Sequence, residues 1–262
     1  MIRAISFLML FVFANYGRAA VIAQYDFNGN TDDSIRGAGG AGLVTGTASY
    51  TDVSSGNKAF HFNGSTYIKA ASVVGGLTTM TMSSWVKFDN FSWYTSIMKD
   101  DWNAGGPIHF GLFDTTSQLD VQTASPAGNS FVTAPSATAL STGVWYNLAF
   151  TFNGTSSNPF LKLYINGDEV GSQAVNVGAL SISPSRIMAF GAKLDPSGNL
   201  INGQNLSGDM DGVVFFNTVL SGSEIKAISE GGVGAVAVPE PSTISMLAIG
   251  LTGFALYRRR RN

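Results

Sequence analysis

The clearest pattern in the sequence is an alternation of apolar and polar positions over residues 144–152. One parity of this stretch carries the apolar side chains of Val144, Tyr146, Leu148, Phe150 and Phe152. A period of two is typical of a strand with one buried face. The alternation resumes over residues 161–165 and is followed by Asn166-Gly167, a dipeptide that favours the type I′ turn of a tight hairpin. The stretch therefore predicts three antiparallel strands, with a hairpin over residues 160–173.

Shorter segments of the same kind follow one another at intervals of about ten residues, with turns between them. They are residues 80–87, 108–113, 119–123, 129–133 and 186–192. Even spacing of short strands is the signature of a sandwich, and 31 glycines, 12% charged residues and the lack of a long amphipathic helix agree with it. The sequence predicts an all-β fold, an antiparallel two-sheet sandwich that occupies residues 24–230 as one domain.

A short helix and a linker are predicted after the last strand. Ser221 and Glu224 stand three residues apart, which forms a capping box at the start of a helix that runs to about residue 230. We expect this helix to close one end of the sandwich. Residues 231–238, GGVGAVAV, form a linker by composition.

Both ends of the chain carry segments typical of export. Residues 1–23 combine a basic start, an apolar run and small residues that permit cleavage after Ala19 or Ala23, which predicts a secretory signal peptide. A buried strand or a membrane anchor is the alternative. At the other end, residues 243–257 are apolar but shorter than the roughly 20 residues of an ordinary spanning helix. The arginines after them would stay in the cytoplasm by the positive-inside rule, which favours a transmembrane helix there.

Several motifs resemble those of the laminin G-like, concanavalin A-like domains. The order W-Y-N-L-A at residues 145–149 and L-Y-I-N-G-D-E-V at residues 163–170 is similar to two neighbouring strands of that family. Three further segments agree in sequence and order, namely residues 80–87, 208–217 and 220–225. The resemblance implies a jelly-roll sandwich over most of residues 24–230.

The tail, residues 239–262, resembles the PEP-CTERM sorting signal of exopolysaccharide-making Gram-negative bacteria. The likeness rests on the apolar segment and on the flanking residues Pro239, Glu240, Pro241, Arg258, Arg259, Arg260 and Arg261. It implies a transient stay in the inner membrane, processing by an exosortase at or near the Pro-Glu-Pro motif, and delivery to the cell surface, outer envelope or extracellular matrix. An ordinary C-terminal anchor is the alternative.

Charge and composition argue against several classes of function. Residues 24–237 carry nine Lys or Arg against sixteen Asp or Glu, a net charge of −7, which disfavours nucleic acid as a partner. The Gly-rich segments match no phosphate-binding loop or dinucleotide fingerprint, so nucleotide binding is not expected. Cysteine is absent and the two histidines lie far apart, which disfavours a zinc site.

The sequence contains no recognisable catalytic motif. Glycosidases of this fold need two carboxylates across the sugar, and one branch places them on a single strand as E-x-D-x-E, which does not occur here. Asp209 and Asp211 have the spacing of a strand but fall where the resembling family has a structural aspartate. We therefore expect a protein that is not an enzyme.

Exposed aromatic side chains stack on sugar rings, and carboxylates and amides bind the hydroxyl groups. Both kinds occur in one segment, a candidate sugar-binding site made of Trp93, Tyr94, Asp100, Asp101, Trp102 and Asn103. Tryptophans packed beneath their own loops are the alternative. The family resemblance also implies a structural calcium ion between the first loop and the last strand, with the ligands Asp26, Asp33 and Asp211. Carboxylates bonded to backbone N–H groups are the alternative there.

These features predict an exported, non-catalytic protein of the cell surface or matrix that binds carbohydrate, with the cell's own exopolysaccharide as the expected partner. A structural or adhesion protein that binds other proteins is the second hypothesis. A polysaccharide-degrading enzyme is the third, and it needs a carboxylate pair that the sequence does not reveal.

Overall fold

The computed structural model describes residues 19–100, 108–125, 128–155, 158–175, 178–181, 187–195, 197–201 and 203–235. Most of the predicted signal peptide and the whole predicted sorting segment, including the apolar stretch 243–257, lie outside these ranges. Within them, no helix has the length and apolar character needed to span a bilayer.

The described residues form two antiparallel sheets, as the sequence pattern predicts. The first sheet contains β1 Val21–Tyr25, β3 Tyr50–Ser54, β4 Asn57–Asn63, β6 Thr79–Phe88, β11 Trp145–Asn153, β12 Phe160–Ile165, β13 Asp168–Ala174 and β17 Ser207–Phe216. Its strand order is β13-β12-β11-β6-β17-β4-β3, and β1 also pairs with β17.

The second sheet contains β2 Leu43–Thr45, β5 Tyr67–Ala71, β7 Ser96–Asp100, β8 Ile108–Leu112, β9 Leu119–Ser125, β10 Gly128–Thr133 and β14 Ile187–Phe190. Its order is β10-β9-β8-β7-β14-β5-β2. A small hairpin is formed by β15 Lys193–Leu194 and β16 Leu200–Ile201.

The core lies between the two sheets because each strand turns alternate side chains inward. On β6 the inward residues Met80, Met82, Val86 and Phe88 are fully buried in it. Aromatic rings fill much of the space, among them Tyr25, Phe27, Phe60, Phe62, Phe110, Phe150, Phe190 and Phe215. Because successive side chains of a strand point to opposite faces, the residues between these inward positions face outward.

Strands β12 and β13 form the predicted hairpin. The turn residues Asn166 and Gly167 have φ values of 51° and 85°, the left-handed conformation that a type I′ turn requires at both central positions. The backbone N–H of Asn166 donates to the carbonyl of Asn147, which ties the turn to β11. The predicted hairpin is confirmed. It could be predicted because the turn conformation depends on two adjacent residues, Asn166 and Gly167.

The helix α1, Gly222–Gly231, begins with the predicted capping box. The Ser221 hydroxyl accepts from the Glu224 N–H, and the Glu224 carboxylate accepts from the Ser221 N–H. Contrary to expectation, the helix covers the outer face of the first sheet instead of closing an end of the sandwich. It packs on a second apolar cluster that includes Ala149, Tyr164, Val214, Phe216, Leu220, Ile225 and Ile228.

The predicted linker also starts differently from expectation. Val233–Ala235 form a 3₁₀ turn directly after α1. Val233 packs against the apolar cluster beneath the helix. The folded domain therefore extends into the segment that composition alone assigns to a linker.

A β-bulge in β17 divides the outer face of the first sheet into an apolar half and a polar half. The pairing of β17 with β6 shifts register between Asp211 and Val214, where Gly212 has a φ of 56°. Because of the extra residue, the outward side chains are at odd-numbered positions before the bulge and at even-numbered positions after it. Outward residues beyond the bulge are therefore apolar and lie under α1, whereas Asp211 and the positions before it leave a polar surface.

Strand β1 begins at Val21, before the predicted domain start at residue 24. Its residues pair with β17, and Ala23 and Tyr25 are fully buried in the core. Cleavage after Ala23 would remove most of this strand, whereas cleavage after Ala19 would leave it whole. If the predicted signal peptide is removed, cleavage after Ala19 is the one of the two permitted sites that keeps β1 intact.

Candidate functional site

A pocket opens on the polar half of the outer face of the first sheet. Its cavity has a volume of about 280 Å³ and is lined by Val53, Asn57, Trp85, Trp145 and Asp211. These residues come from β3, β4, β6, β11 and β17, which are adjacent strands of the sheet. Because Asn57, Trp85, Trp145 and Asp211 are far apart in sequence, only the folded sheet brings them together.

The two tryptophans stand on the strand parity that faces away from the core. Trp85 lies opposite Asn147 in the pairing of β6 with β11, which places Trp145 one diagonal step away. Diagonal neighbours have Cα atoms roughly 7–8 Å apart, so the two indoles flank the same space. Neither tryptophan belongs to the buried apolar clusters of the described residues, and both are partly exposed. Both rings are therefore available to a ligand.

Asp211 supplies the carboxylate of the pocket. Asn57 Nδ2 donates to its Oδ2 at 3.0 Å, and the Gly212 N–H donates to its Oδ1 at 2.7 Å. Burial raises the pKa of Asp211 above its ordinary value, and the charge of Asp26 acts in the same direction, while the two hydrogen bonds oppose the shift. Because a carboxylate has about four acceptor positions, Asp211 can accept further bonds from a ligand.

Beside the pocket, three side chains contact the buried carboxylate of Asp209. Lys87 Nζ lies 2.5 Å from Oδ2, His61 Nδ1 lies 2.8 Å from Oδ1, and Thr51 Oγ1 donates to Oδ1 at 3.0 Å. Burial acts to raise the pKa of Asp209, but these bonds outweigh it and hold the pKa below its ordinary value. Lys87 Nζ also lies 5.4 Å from the ring centre of Trp145, a cation–π contact that helps to orient the indole.

The segment predicted to bind sugar lies beside the second sheet instead. Trp93 is 50% exposed, and its ring packs edge-on against Tyr94 with ring centres 5.3 Å apart. Tyr94 in turn contacts the rings of His109 and Phe113. Trp93 is therefore accessible to a ligand, and Tyr94 supports it from below.

Asp100 cannot serve as a surface ligand. It is fully buried at the end of β7, and its carboxylate accepts a hydrogen bond from Ser72 Oγ. A side chain without exposed surface cannot reach a sugar hydroxyl, so this assignment is wrong. Asp101, Trp102 and Asn103 lie outside the described residues.

The three residues predicted to bind calcium do not form one ligand shell. Asp33 is buried, and its Oδ1 accepts from the backbone N–H groups of Gln24, Ile35 and Arg36. Its Oδ2 lies 2.5 Å from Arg36 Nε, so a guanidinium occupies the place of a cation. In the described part of the chain, no group of three or more His, Cys, Asp or Glu could hold a metal ion. Asp26, Asp33 and Asp211 therefore do not fit the implied calcium site.

Residues 62–226 match the family model of the concanavalin A-like lectin/glucanases superfamily, of laminin G type. The match covers more than half of the chain. The chain belongs to this superfamily. No curated protein matches the sequence.

The tail of this concanavalin A-like protein is identified in the same way. Residues 237–261 match the PEP-CTERM protein-sorting motif. The motif marks the protein for export and exosortase processing, through a membrane intermediate to the cell surface or exterior. The predicted processing residues Pro239 to Pro241 lie within the matched range.

Solved structures share the sandwich. Domain 4 of AbnA, a GH43 extracellular arabinanase from Geobacillus stearothermophilus, in complex with arabinotriose, has a TM-score of 0.62 and 22% identity, covering 81% of this chain and 99% of that one. The binding domain of Paraclostridial Mosquitocidal Protein 1 has a TM-score of 0.59 and 13% identity over 80% of this chain. The binding domain of botulinum neurotoxin DC in complex with SialylT has a TM-score of 0.58 and 12% identity over 82% of this chain. This chain spans 52% and 51% of the last two, and the likeness to all three concerns the fold alone.

In this concanavalin A-like domain, the sequence predicts Asp211 only as a calcium ligand, and it does not single out Asn57, Trp85 or Trp145 as site residues. The sequence does contain a feature that could have identified the two tryptophans as binding residues. Trp85 shares the polar parity of β6 with Lys87, and Trp145 shares the polar parity of β11 with Asn147. A tryptophan on the outward parity of a strand is not needed by the core and is a candidate for binding.

Proposed function

We propose that the sandwich domain of this exported protein binds carbohydrate in the pocket flanked by Trp85 and Trp145. The observation that carries the proposal is a pair of indoles on the solvent face of the sheet, outside the buried apolar clusters of the described residues. Indoles offer flat apolar area and one N–H donor each. Asp211 and Asn57 add polar groups beside them, so the pocket matches the apolar faces and hydroxyl edges of a sugar ring.

Binding without catalysis agrees with the carboxylates of the pocket. Glycosidases use a pair of carboxyl groups at a defined separation. Within the described part of the chain, Asp211 is the one carboxyl that lines the pocket, and the neighbouring Asp209 is held by Lys87 and His61. A domain of the same fold in complex with arabinotriose supports a saccharide as the ligand. Because the protein is delivered to the surface or matrix, we expect the cell's own exopolysaccharide to be the natural partner.

The test is binding of the processed protein to polysaccharide, measured by pull-down and calorimetry. Trp145→Ala and Trp85→Ala are each expected to weaken binding about tenfold or more, because one lost stacking contact is worth about 1.4 kcal/mol. Both variants should keep the fold, since neither indole packs in the core. An unchanged unfolding midpoint checks this.

Trp93→Ala is the matched control, because Trp93 is an exposed tryptophan beside the other sheet. This variant is expected to bind normally. If Trp93→Ala weakens binding and the two pocket variants do not, the pocket is overturned as the site and the segment around Trp93 takes its place. Release of reducing sugar from the polysaccharide would show an enzyme.

Protein adhesion is the second candidate, and the edge strand β10 favours it. Phe131 on this strand is 64% exposed. A cavity of about 290 Å³ lies between β10 and β13, lined by Asn129, Ser130, Phe131, Gln173 and Ala174. An exposed edge can pair with a strand from another protein. If no polysaccharide binds, and a cell-surface protein partner is lost on Phe131→Ser, this function replaces the first.

A further inference from the structure

The charge inside the pocket indicates which sugars it accepts. Among the described residues, Asp211 is the one ionisable residue that lines the cavity. Its carboxyl is partly removed from water, and the carboxyl of Asp26 lies near enough to disfavour its negative charge. A negative group in these surroundings gains more from a cationic partner than an exposed carboxylate would, because burial weakens screening by water and salt.

The two lysines that are close in sequence to pocket residues, Lys58 beside Asn57 and Lys87 near Trp85, are already paired. Lys87 Nζ lies 2.5 Å from Asp209, and Lys58 Nζ lies 2.5 Å from Asp52. Among the described residues, no lysine, arginine or histidine forms an ion pair with Asp211, which has Asn57 and the Gly212 N–H as its partners. The pocket therefore has an excess of negative charge that a bound cation would balance.

The two tryptophans also favour a positively charged ligand group. A cation within about 6 Å of an indole face is attracted by the ring quadrupole. Lys87 Nζ already holds such a position, 5.4 Å from the centre of the Trp145 ring. Trp85 has no cation over its ring among the described residues. Two indoles and a partly buried carboxylate are the groups that recognise an organic ammonium.

We infer that the pocket selects sugars that carry a positively charged amino group, with the ammonium against Asp211 and Trp85 and the ring against Trp145. This inference rests on the proposed carbohydrate-binding function and names its ligand class. The cavity of about 280 Å³ lies near the lower end of the usual range for ligand pockets, roughly 300–1,000 Å³, so it accommodates one or two sugar units. Acidic sugars are disfavoured, because their carboxylates would face Asp211 and Asp26.

The test compares three oligosaccharides of matched length at slightly acidic pH, where the amine of glucosamine is protonated, with EDTA present to exclude metal bridging. They contain glucosamine, N-acetylglucosamine or galacturonic acid, so the charge at the ring substituent is positive, neutral or negative. The processed protein is expected to bind the glucosamine oligomer about tenfold more tightly than the acetylated one, and the acidic one least. Calorimetry supplies the affinities.

Asp211→Asn is the decisive variant, because it keeps an oxygen acceptor for the Gly212 N–H and removes the charge. It should reduce affinity for the glucosamine oligomer about tenfold more than affinity for the acetylated oligomer, so that the preference for the amino sugar is lost. Asp26→Asn should reduce the preference for the glucosamine oligomer over the acetylated one, but by less than Asp211→Asn does. Asp168→Asn is the matched control, since Asp168 is exposed at the β12–β13 turn and is not among the residues that line the pocket. It loses the same charge without touching the pocket.

The outcomes separate this inference from the function on which it rests. Equal affinity for the glucosamine and acetylated oligomers, both lost in Trp145→Ala, overturns amine selectivity and leaves carbohydrate binding intact. An equal loss in Asp168→Asn and Asp211→Asn shows attraction to the overall acidic domain and also overturns it. If none of the three oligomers nor any polysaccharide binds, both the inference and the proposed function fail.

Discussion

Asp33 organises the first loop of the domain from a nearly inaccessible position. Its carboxylate accepts three backbone N–H groups and pairs with Arg36. Arg36 Nη2 then donates to Tyr25 Oη at 2.5 Å, and Tyr25 Oη donates to the Gly40 carbonyl at 2.9 Å. One carboxylate therefore connects the loop to β1 and holds the backbone groups that the loop leaves unpaired.

We predict that Asp33→Ala lowers the free energy of unfolding by about 3 kcal/mol. The change removes one partner of a largely buried ion pair and leaves several N–H donors without an acceptor. Denaturant unfolding followed by tryptophan fluorescence measures the loss. Asp32→Ala is the control, because Asp32 is exposed and should change stability by less than about 0.5 kcal/mol. A loss below about 1 kcal/mol for Asp33→Ala would show that water replaces the carboxylate.

The pairing of Asp33 with Arg36 also leads to a prediction about calcium binding. Because a guanidinium already neutralises this residue, we predict the same unfolding midpoint in EDTA as in excess calcium. A ligand that binds only the folded state raises the midpoint by mass action. A midpoint several degrees higher in calcium would therefore show that Asp26 and Asp211 bind the ion with other oxygen atoms.

At the scale of single elements, much of the fold could be predicted from the sequence. The alternation of apolar residues in β11 and β12, the Asn166-Gly167 turn and the Ser221 capping box are each contained in a few consecutive residues. Period and turn chemistry act at that range, so these predictions are confirmed.

The pocket and the position of α1 could not be predicted in this way. The pocket unites five strands whose order in the sheet differs from their order in the chain. The helix covers the first sheet because the bulge at Gly212 exchanges the parity of β17 and turns Val214 and Phe216 outward. Neither pairing order nor the exchange of parity follows from a local hydrophobic pattern.

Strand β1 makes a prediction about processing. Its pairing with β17 requires residues 21–25, so we predict that the mature protein begins at Ala20. Mass spectrometry of the protein recovered from the cell envelope gives the N-terminal residue. A start at Gln24 would contradict the prediction, because it would leave most of β1 out of the folded protein. The same spectrum reports the other end, where retention of Arg258 to Arg261 would contradict sorting by cleavage.

For the molecule as a whole, a buried polar layer on the second sheet affects stability. Lys99 on β7 and His109 on β8 lie opposite each other and are almost inaccessible to solvent. Lys99 Nζ donates to Gln204 Oε1 at 3.1 Å, whereas neither ring nitrogen of His109 has a hydrogen-bond partner among the described residues. Lys193 and Asp120 are the other charged groups that act on Lys99.

These surroundings disfavour positive charge in the folded state. Burial, helped by the charge of Lys193 and opposed by Asp120, lowers the pKa of Lys99 to about 7. Burial and the charge of Lys99 also lower the pKa of His109 well below its ordinary value. In the unfolded chain Lys99 regains a pKa of about 10.4. Between these values the unfolded state binds more protons than the folded state, so stability rises with pH.

We predict that the free energy of unfolding increases by about 2 kcal/mol from about pH 7.5 to about pH 9.5, measured by denaturant unfolding. Lys99→Met should remove this rise, whereas Lys58→Met, at an exposed lysine, should keep it. Above about pH 10 the trend should reverse, because burial raises the pKa of Tyr25 to about 12 and the unfolded chain loses that proton first. A flat profile in the unmodified protein would show that Lys99 remains charged inside the fold.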